Sequence, residues 1–277
     1  MLVTGAAGQV GRELVGALGP HDVFGCDHTA LDVTDGADVR DAFSSIQPDV
    51  VVHCAAFSAV DACESEPDKA FAVNGRGTEH VMDAARAAGA YVVYVSTDYV
   101  FDGTKPEPYL EDDAPNPQSV YGQSKLAGEA AIDDDCAIVR TSWVCGRYGP
   151  NMVKTVLRLA TEHDTLRFVT DQRGHPTFAA DLAVMLARFV DERPAGIWHV
   201  TNQGAVSWFE FAQEVLRAAG ADPSRVQPIS TAELQPPRRA PRPANSVLAN
   251  ARLEAADWEL LPDFRTPLGA LVANLRG

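Results

Sequence analysis

The sequence predicts an α/β fold: a Rossmann-type doubly wound parallel sheet with a smaller, partly interleaved α/β C-terminal substrate domain. Three observations predict it. Short apolar runs alternate with helical patterns through the first half, a glycine loop follows the first run directly, and beyond Pro150 the pattern loosens into helices separated by proline-rich loops. In chain order, strands are expected at residues 1–4, 22–26, 49–54, 91–95 and 137–140, each apolar at successive positions, as a sheet covered on both faces requires. Between them, helices are expected at 10–18, 39–46, 70–88 and 119–131, the third stopped by Gly89. Later helices are expected at 151–162, 179–190, 208–219 and 267–275, around loops such as the proline-rich stretch 235–243. A dinucleotide-binding domain is therefore expected at 1–148, with the chain returning to it at 176–204. Residues 149–277 form mainly an interleaved substrate cap.

The chain has 277 residues, 46% of them hydrophobic, enough for one large α/β domain or for a nucleotide-binding domain with a smaller partner. No apolar run approaches the ~20 residues that span a bilayer, and no basic-then-apolar opening resembles a secretion signal. A cytoplasmic protein with no membrane partner is expected. The formal charge of −15 repels polyanions and argues against nucleic acid. Five cysteines without a Cys-x-x-Cys pair suit neither a disulfide framework nor a zinc site, so buried thiols are the simpler reading and no metal is expected.

Gly5-Ala6-Ala7-Gly8-Gln9-Val10-Gly11 joins the first strand to the first helix. Tight turning and close approach of backbone N–H groups to a pyrophosphate require glycines there, so dinucleotide binding is expected through Gly5, Gly8, Gln9, Val10 and Gly11. Asp27 ends the second strand 22 residues after Gly5, where a carboxylate accepts from the adenosine ribose. It favours NADH over NADPH, whose 2′-phosphate meets a like charge, although Arg12 counts the other way. Asp32 and Val33 are candidates for adenine contact.

Ser96-Thr97-Asp98 follows the fourth strand, and Tyr121-Gly122-Gln123-Ser124-Lys125 follows later. Tyr and Lys at i and i+4 share one helical face. The Lys125 ammonium is expected to lower the phenol's pKa and to bind nicotinamide ribose. Thr97 completes a hydrogen-bonded site around a carbonyl oxygen, and Tyr121 protonates that oxygen as hydride arrives at carbon. His53, inside an apolar strand, is expected to be a core residue, and His175 is a loop candidate for substrate contact. Arg238, Arg239 and Arg242 cluster in a proline-rich loop of an acidic protein, and Arg242 is the best candidate to clamp a diphosphate.

These residues resemble the extended branch of the short-chain dehydrogenase/reductase family. The resemblance runs through Gly8-Gln9-Val10-Gly11, Ala55-Ala56-Phe57-Ser58-Ala59-Val60-Asp61 with Glu64, Ser96-Thr97-Asp98-Tyr99-Val100-Phe101 and Tyr121-Gly122-Gln123-Ser124-Lys125-Leu126-Ala127-Gly128-Glu129. It continues through Arg140-Thr141-Ser142-Trp143-Val144, Asp171-Gln172-Arg173-Gly174-His175-Pro176-Thr177 and Arg242-Pro243-Ala244-Asn245-Ser246, nearly end to end. It implies a catalytic trio of Thr97, Tyr121 and Lys125, and a cofactor groove lined by Ala55 and Ala56. It also implies a sugar-nucleotide site that includes Val60, Asp98, Trp143, Gln172, His175 and Thr177. The implied reaction is NAD(P)H-dependent reduction of the C4 ketone of a dTDP-linked 4-keto-6-deoxy sugar. Some members bind Mg²⁺ between subunits, but their acids do not map onto this chain.

Two rivals stay open. Another enzyme of the branch, an epimerase, dehydratase or different ketoreductase, shares most of these motifs. Dehydratases place an Asp-Glu pair after the catalytic Thr, whereas here Asp98 is followed by Tyr99. The second rival is a non-catalytic dinucleotide-binding regulatory subunit, against which the intact Thr97, Tyr121 and Lys125 argue. A homodimer is one expectation for a state of assembly that the sequence leaves open.

Overall fold

The computed structural model describes residues 1–19 and 21–276. Six strands form the central sheet: β1 (Leu2–Thr4), β2 (Phe24–Cys26), β3 (Val50–His53), β4 (Tyr91–Thr97), β5 (Ala137–Thr141) and β6 (Gly196–His199). All neighbours are parallel, in the order β2-β1-β3-β4-β5-β6. The chain steps from β1 to β2 in one direction and then crosses back to β3. Right-handed crossovers therefore put the intervening helices, Gln9–Ala17 and Gly36–Ile46, on opposite faces. Val3, Val51, Val52, Val92, Val93 and Val139 are wholly buried between the helical layers. This explains why their strands read as continuous apolar runs.

β6 was not among the expected strands. Its four residues, Gly-Ile-Trp-His, are too short to show a period, yet they pair in register with Ala137–Arg140 at the sheet edge. The helix before it, Ala179–Glu192, lies alongside Gln9–Ala17. The helix expected at 70–88 is also broken. Helix Pro67–Phe71 passes through a π-helical turn, Ala72–Arg76, into helix Gly77–Ala88. The extra residue of the turn carries Asn74 into the interior, where its side chain bonds Phe57 N at 2.8 Å, Phe57 O at 3.1 Å and Ser124 Oγ at 2.9 Å. A 3.6-residue period does not reveal such an insertion.

The cap has its own core. Helices Met152–Glu162, Trp208–Ala218 and Arg265–Arg276 enclose Val153, Val156, Phe211, Val215, Phe264 and Leu268, beside a parallel pair of strands, Leu166–Val169 and Val226–Ile229. Between strand Val226–Ile229 and helix Arg265–Arg276 the chain returns to the first lobe as a strap. Tyr109 N donates to Val247 O and Ala249 N to Tyr109 O, both at 2.8 Å. Among the described residues no helix is long and apolar enough to cross a membrane.

Candidate active site

Between β1 and β3 the direction of strand succession reverses, and open α/β sheets bind ligands outside the carboxyl ends of the strands at such a point. Gly5 follows β1 there with φ +66°, and a Cβ on it would lie 2.7 Å from Ala55 N. A Cβ on Gly11 would lie 2.4 Å from Gly5 O. Only glycine fits either place without moving backbone. Gly8 caps helix Gln9–Ala17 with no side-chain bond, and the first turn holds no acid. The leading N–H groups therefore have no side-chain cap or first-turn acid, so the loop suits a pyrophosphate. Val10 packs on the core beneath. Gln9 Oε1 instead accepts from Asn151 Nδ2 at 3.0 Å, tying the phosphate loop to the start of the cap.

Asp27 lies just past β2. Bonds from the Thr29 side chain, Thr29 N and Ala30 N hold its carboxyl below the usual range, so it stays ionised. Asp32 makes a similar turn with Thr34, while Val33 is buried beneath it against Gly77. Ala55 is half-buried and Ala56 exposed beside this crevice, with Ala55 N donating to Thr4 Oγ1 at 3.2 Å. His53 lies in the core, Nδ1 2.7 Å from Thr4 Oγ1. Burial first, then the Lys125 charge, takes its pKa down to about 3.

Tyr121 and Lys125 ride on helix Val120–Glu129. Ser119 caps it by accepting from Gly122 N, and Glu64 Oε1 accepts from Val120 N at 2.8 Å. The helix seats closely on β4. A Cβ on Gly122 would lie 2.2 Å from Tyr99 O, and one on Gly128 would lie 2.2 Å from Tyr94 Oη. Lys125 reaches down into the sheet, where Nζ donates to Val95 O at 2.8 Å and lies 4.0 Å from the Tyr94 ring centroid. Burial pulls its pKa down to about 7, against Glu129 and Cys54. Tyr121 moves the other way. Burial raises its pKa, the Thr97 hydroxyl opposes by hydrogen bonding, and the Asp98 charge adds to the rise. The Lys125 amine is turned to the Val95 carbonyl below, and burial outweighs the other influences on the phenol.

Thr97 Oγ1 donates to Asp98 Oδ1 at 3.0 Å, and Asp98 Oδ2 is buried with no hydrogen-bond partner. Trp143 follows β5, next to the end of β4, with φ +46°, unusual for an aromatic residue. Its ring stacks on Trp208 of the cap, centroids 3.4 Å apart and planes at 7°. Gly174 lies against the indole, leaving no room for a Cβ, which would come within 2.6 Å of Cε2. Thr97, Asp98, Tyr121, Trp143, Gly174 and Ser246 thus gather at one end of the sheet.

The other expected substrate residues are placed less openly. Val60 is half-buried at the start of helix Val60–Ser65. Gln172 Nε2 donates to Thr231 Oγ1 at 2.8 Å. His175 is buried, with Nδ1 3.0 Å from Thr201 Oγ1, and burial takes its pKa down to about 4. Thr177 is fully buried, its hydroxyl without a hydrogen-bond partner. Arg242 donates to both oxygens of Asp61, at 2.7 and 2.9 Å, with Arg238 3.5 Å from the same carboxylate. The expected diphosphate clamp is therefore already held by an acid, which also accepts from Arg239 N and Ala240 N.

Sequence reasoning missed Asn74, Trp208 and the buried pair Glu129–Arg140. The Arg140 Nε and Nη2 atoms donate to Glu129 at 2.9 and 2.7 Å, and Ser96 Oγ also donates to Glu129. Arg140 inside the otherwise apolar strand β5 was the available signal.

The family model described as the RmlD substrate binding domain matches residues 1–276. A dTDP-4-dehydrorhamnose reductase of Streptomyces griseus is 47% identical over 281 residues, covering 96% of this chain and 91% of that one. Among solved structures, a dTDP-4-dehydrorhamnose reductase from Clostridium acetobutylicum superposes with TM-score 0.95 at 40% identity, covering 100% of this chain and 99% of that one. One from Bacillus anthracis, in complex with NADP, superposes with TM-score 0.94 at 38% identity, covering 99% and 98%.

Proposed function

The chain belongs to the RmlD substrate binding domain family, and from that premise we propose that it reduces the C4 ketone of dTDP-4-dehydro-6-deoxy-L-mannose to give dTDP-L-rhamnose, using NADH or NADPH. The observation that carries the reading is the meeting of Thr97, Tyr121 and Lys125 at the carboxyl end of the sheet, beside a crevice shaped for a dinucleotide. The charge of Lys125 reaches Cys54, the residue after β3, so the helix and the crevice adjoin. A reduced nicotinamide bound there supplies hydride to C4. Tyr121 holds the proton that the C4 oxygen takes up, and burial keeps it a phenol at neutral pH, the form a donor needs. Thr97 orients the ketone, and Lys125 holds ribose hydroxyls. Val60, Asp98, Trp143, Gln172, His175 and Thr177 surround the sugar. Arg242 takes the diphosphate in competition with Asp61.

Asp27 is the residue we assign to cofactor choice, favouring NADH. The Bacillus anthracis relative carries NADP, so both cofactors belong in the assay. The dehydratase alternative loses support at Tyr99, which occupies the place of a second carboxylate and packs edge-on to Tyr121 with centroids 5.5 Å apart. Residues 1–148 with 176–204 are read as the dinucleotide-binding part, supported by the pairing of β6 with β5. A cytoplasmic homodimer is the proposed state, to be checked by sedimentation and fractionation. The test of the activity is oxidation of NADH or NADPH by the purified protein with the keto-sugar nucleotide. Loss of reduced-nicotinamide absorbance in wild type, abolished in Tyr121→Phe, is expected. No oxidation with either cofactor sinks the reading.

A further inference from the structure

We infer that Asp98 is the terminal acid of a hydrogen-bonded chain, Asp98–Thr97–Tyr121, from which the proton taken up at the sugar's C4 oxygen is drawn. This rests on the reductase reading with Tyr121 as immediate donor.

The geometry places the three groups in series. Asp98 Oδ1 lies 3.0 Å from Thr97 Oγ1, a contact that carries the hydroxyl proton when Asp98 is ionised and the acid's proton when it is protonated. Thr97 Oγ1 also accepts from Tyr99 N at 3.2 Å and opposes the rise in the Tyr121 pKa. Asp98 is 1% exposed, yet Oδ2 has no hydrogen-bond partner. Two half-buried acids elsewhere in the protein use both oxygens. Asp61 accepts from Arg242 at each, and Asp102 accepts from Thr104 and Tyr109 at Oδ1 and from Asn116 at Oδ2. Asp98 instead leaves Oδ2 buried without a hydrogen-bond partner, while its bonded oxygen faces the catalytic threonine.

The surroundings stabilise the protonated acid relative to an exposed aspartate, and it is the majority form below about pH 6. Burial raises the Asp98 pKa to about 6, against Ser246 and Thr97. The titratable groups facing this corner are Tyr121 and Tyr99, with Cys63 beyond Tyr121. Arg242 and Arg238 act on Tyr99 from the strap, and both are held by Asp61. Ser246 Oγ donates to Arg173 O at 3.3 Å.

The step balances without a further reactant. Hydride from reduced nicotinamide forms the C4–H bond while the C=O π pair takes the phenolic proton of Tyr121. Tyr121 takes the hydroxyl proton of Thr97, and Thr97 takes the proton of Asp98 Oδ1. One proton passes from Asp98 to the sugar, and the negative charge comes to rest on a carboxylate. Without Asp98 it would rest on a buried phenolate, the state that burial disfavours at Tyr121.

The experiment is single-turnover oxidation of bound NADPH by the keto-sugar nucleotide, for wild type, Asp98→Asn, Thr97→Val and Tyr121→Phe, against pH and in H₂O/D₂O mixtures. The wild-type rate is expected to fall as pH rises through about 6, with a bowed proton inventory showing more than one proton in flight. Asp98→Asn is expected to be slower by about a hundredfold, to lose the fall near 6 while keeping the Lys125 fall near 7, and to show a linear inventory. Difference infrared spectra of the free proteins supply a readout without turnover. A carboxylic-acid band titrating near 6 is expected in wild type and in Thr97→Val, and is expected to be lost in Asp98→Asn. A wild-type rate and pH dependence in Asp98→Asn overturns the inference. So does a raised KM for the sugar with an unchanged rate at saturation, which marks Asp98 as a binding group only. Turnover by Tyr121→Phe instead overturns the underlying reductase reading. Should Asp98→Asn fail to fold, Thr97→Val decides, since it cuts the chain and keeps the acid: a fall surviving near 6, below that of Lys125, overturns the inference.

Discussion

Gly128→Ala should damage catalysis more than stability. A Cβ at Gly128 would lie 2.2 Å from Tyr94 Oη and 2.4 Å from Asn74 O. Ordinary contact begins at 3.4 Å, so helix Val120–Glu129 must lift from β4 by about an ångström. Neither obstacle can yield locally. The Tyr94 ring is buried between His53, on which it stacks, and Lys125, while Asn74 O is main chain in the π-helical turn. Overpacking of this kind costs about 1–3 kcal/mol. The same displacement moves Tyr121 and Lys125 relative to Thr97, and a misplacement of about 1 Å can cost about a hundredfold in rate. Thermal unfolding and kcat on one preparation separate the two effects. A variant whose kcat stays within about twofold of wild type would refute the claim that this close seating sets the catalytic geometry.

Glu129→Gln leaves Arg140 without its anion at 1% exposure and should cost about 3 kcal/mol, read as a lowered Tm. It also removes support for the Lys125 charge, so the alkaline fall in activity should move to lower pH, and an unmoved profile would count against that coupling. Asp27→Ala should raise the NADPH-to-NADH ratio of kcat/KM by about tenfold, by removing a like charge from the 2′-phosphate; an unchanged ratio places cofactor choice elsewhere. His53 stays neutral when folded down to about pH 3 but takes a proton below 6.5 when unfolded, so its contribution is full above 6.5 and is lost as pH falls toward 3. His53→Gln should flatten the acid-side stability slope by about 1.4 kcal/mol per pH unit, measured by urea unfolding at several pH values.

The phosphate loop and the Tyr121/Lys125 helix were legible because both are local. Turn, cap and i,i+4 spacing lie within a few residues of one another. Long-range partnerships were not. Arg242 looked free for phosphate until the strap brought it back to Asp61, 181 positions away. Glu129 and Arg140 meet only because β5 runs beside β4, and the inward turn of Asn74 depends on one extra residue in a helix that otherwise keeps its period. The Lys125 amine was expected beside the phenol, but the sheet beneath offers it a carbonyl. The direction of a long side chain depends on what the fold places under it.

The parallel indoles of Trp143 and Trp208 join the end of the sheet to the cap helix across the substrate cleft. Two chromophores this close couple optically, so the protein carries its own gauge of cleft width. Any movement of the cap relative to the sheet changes the far-ultraviolet ellipticity of the pair and the quenching of its emission. A change in that spacing can thus be followed in the unlabelled protein, in real time and at native concentration.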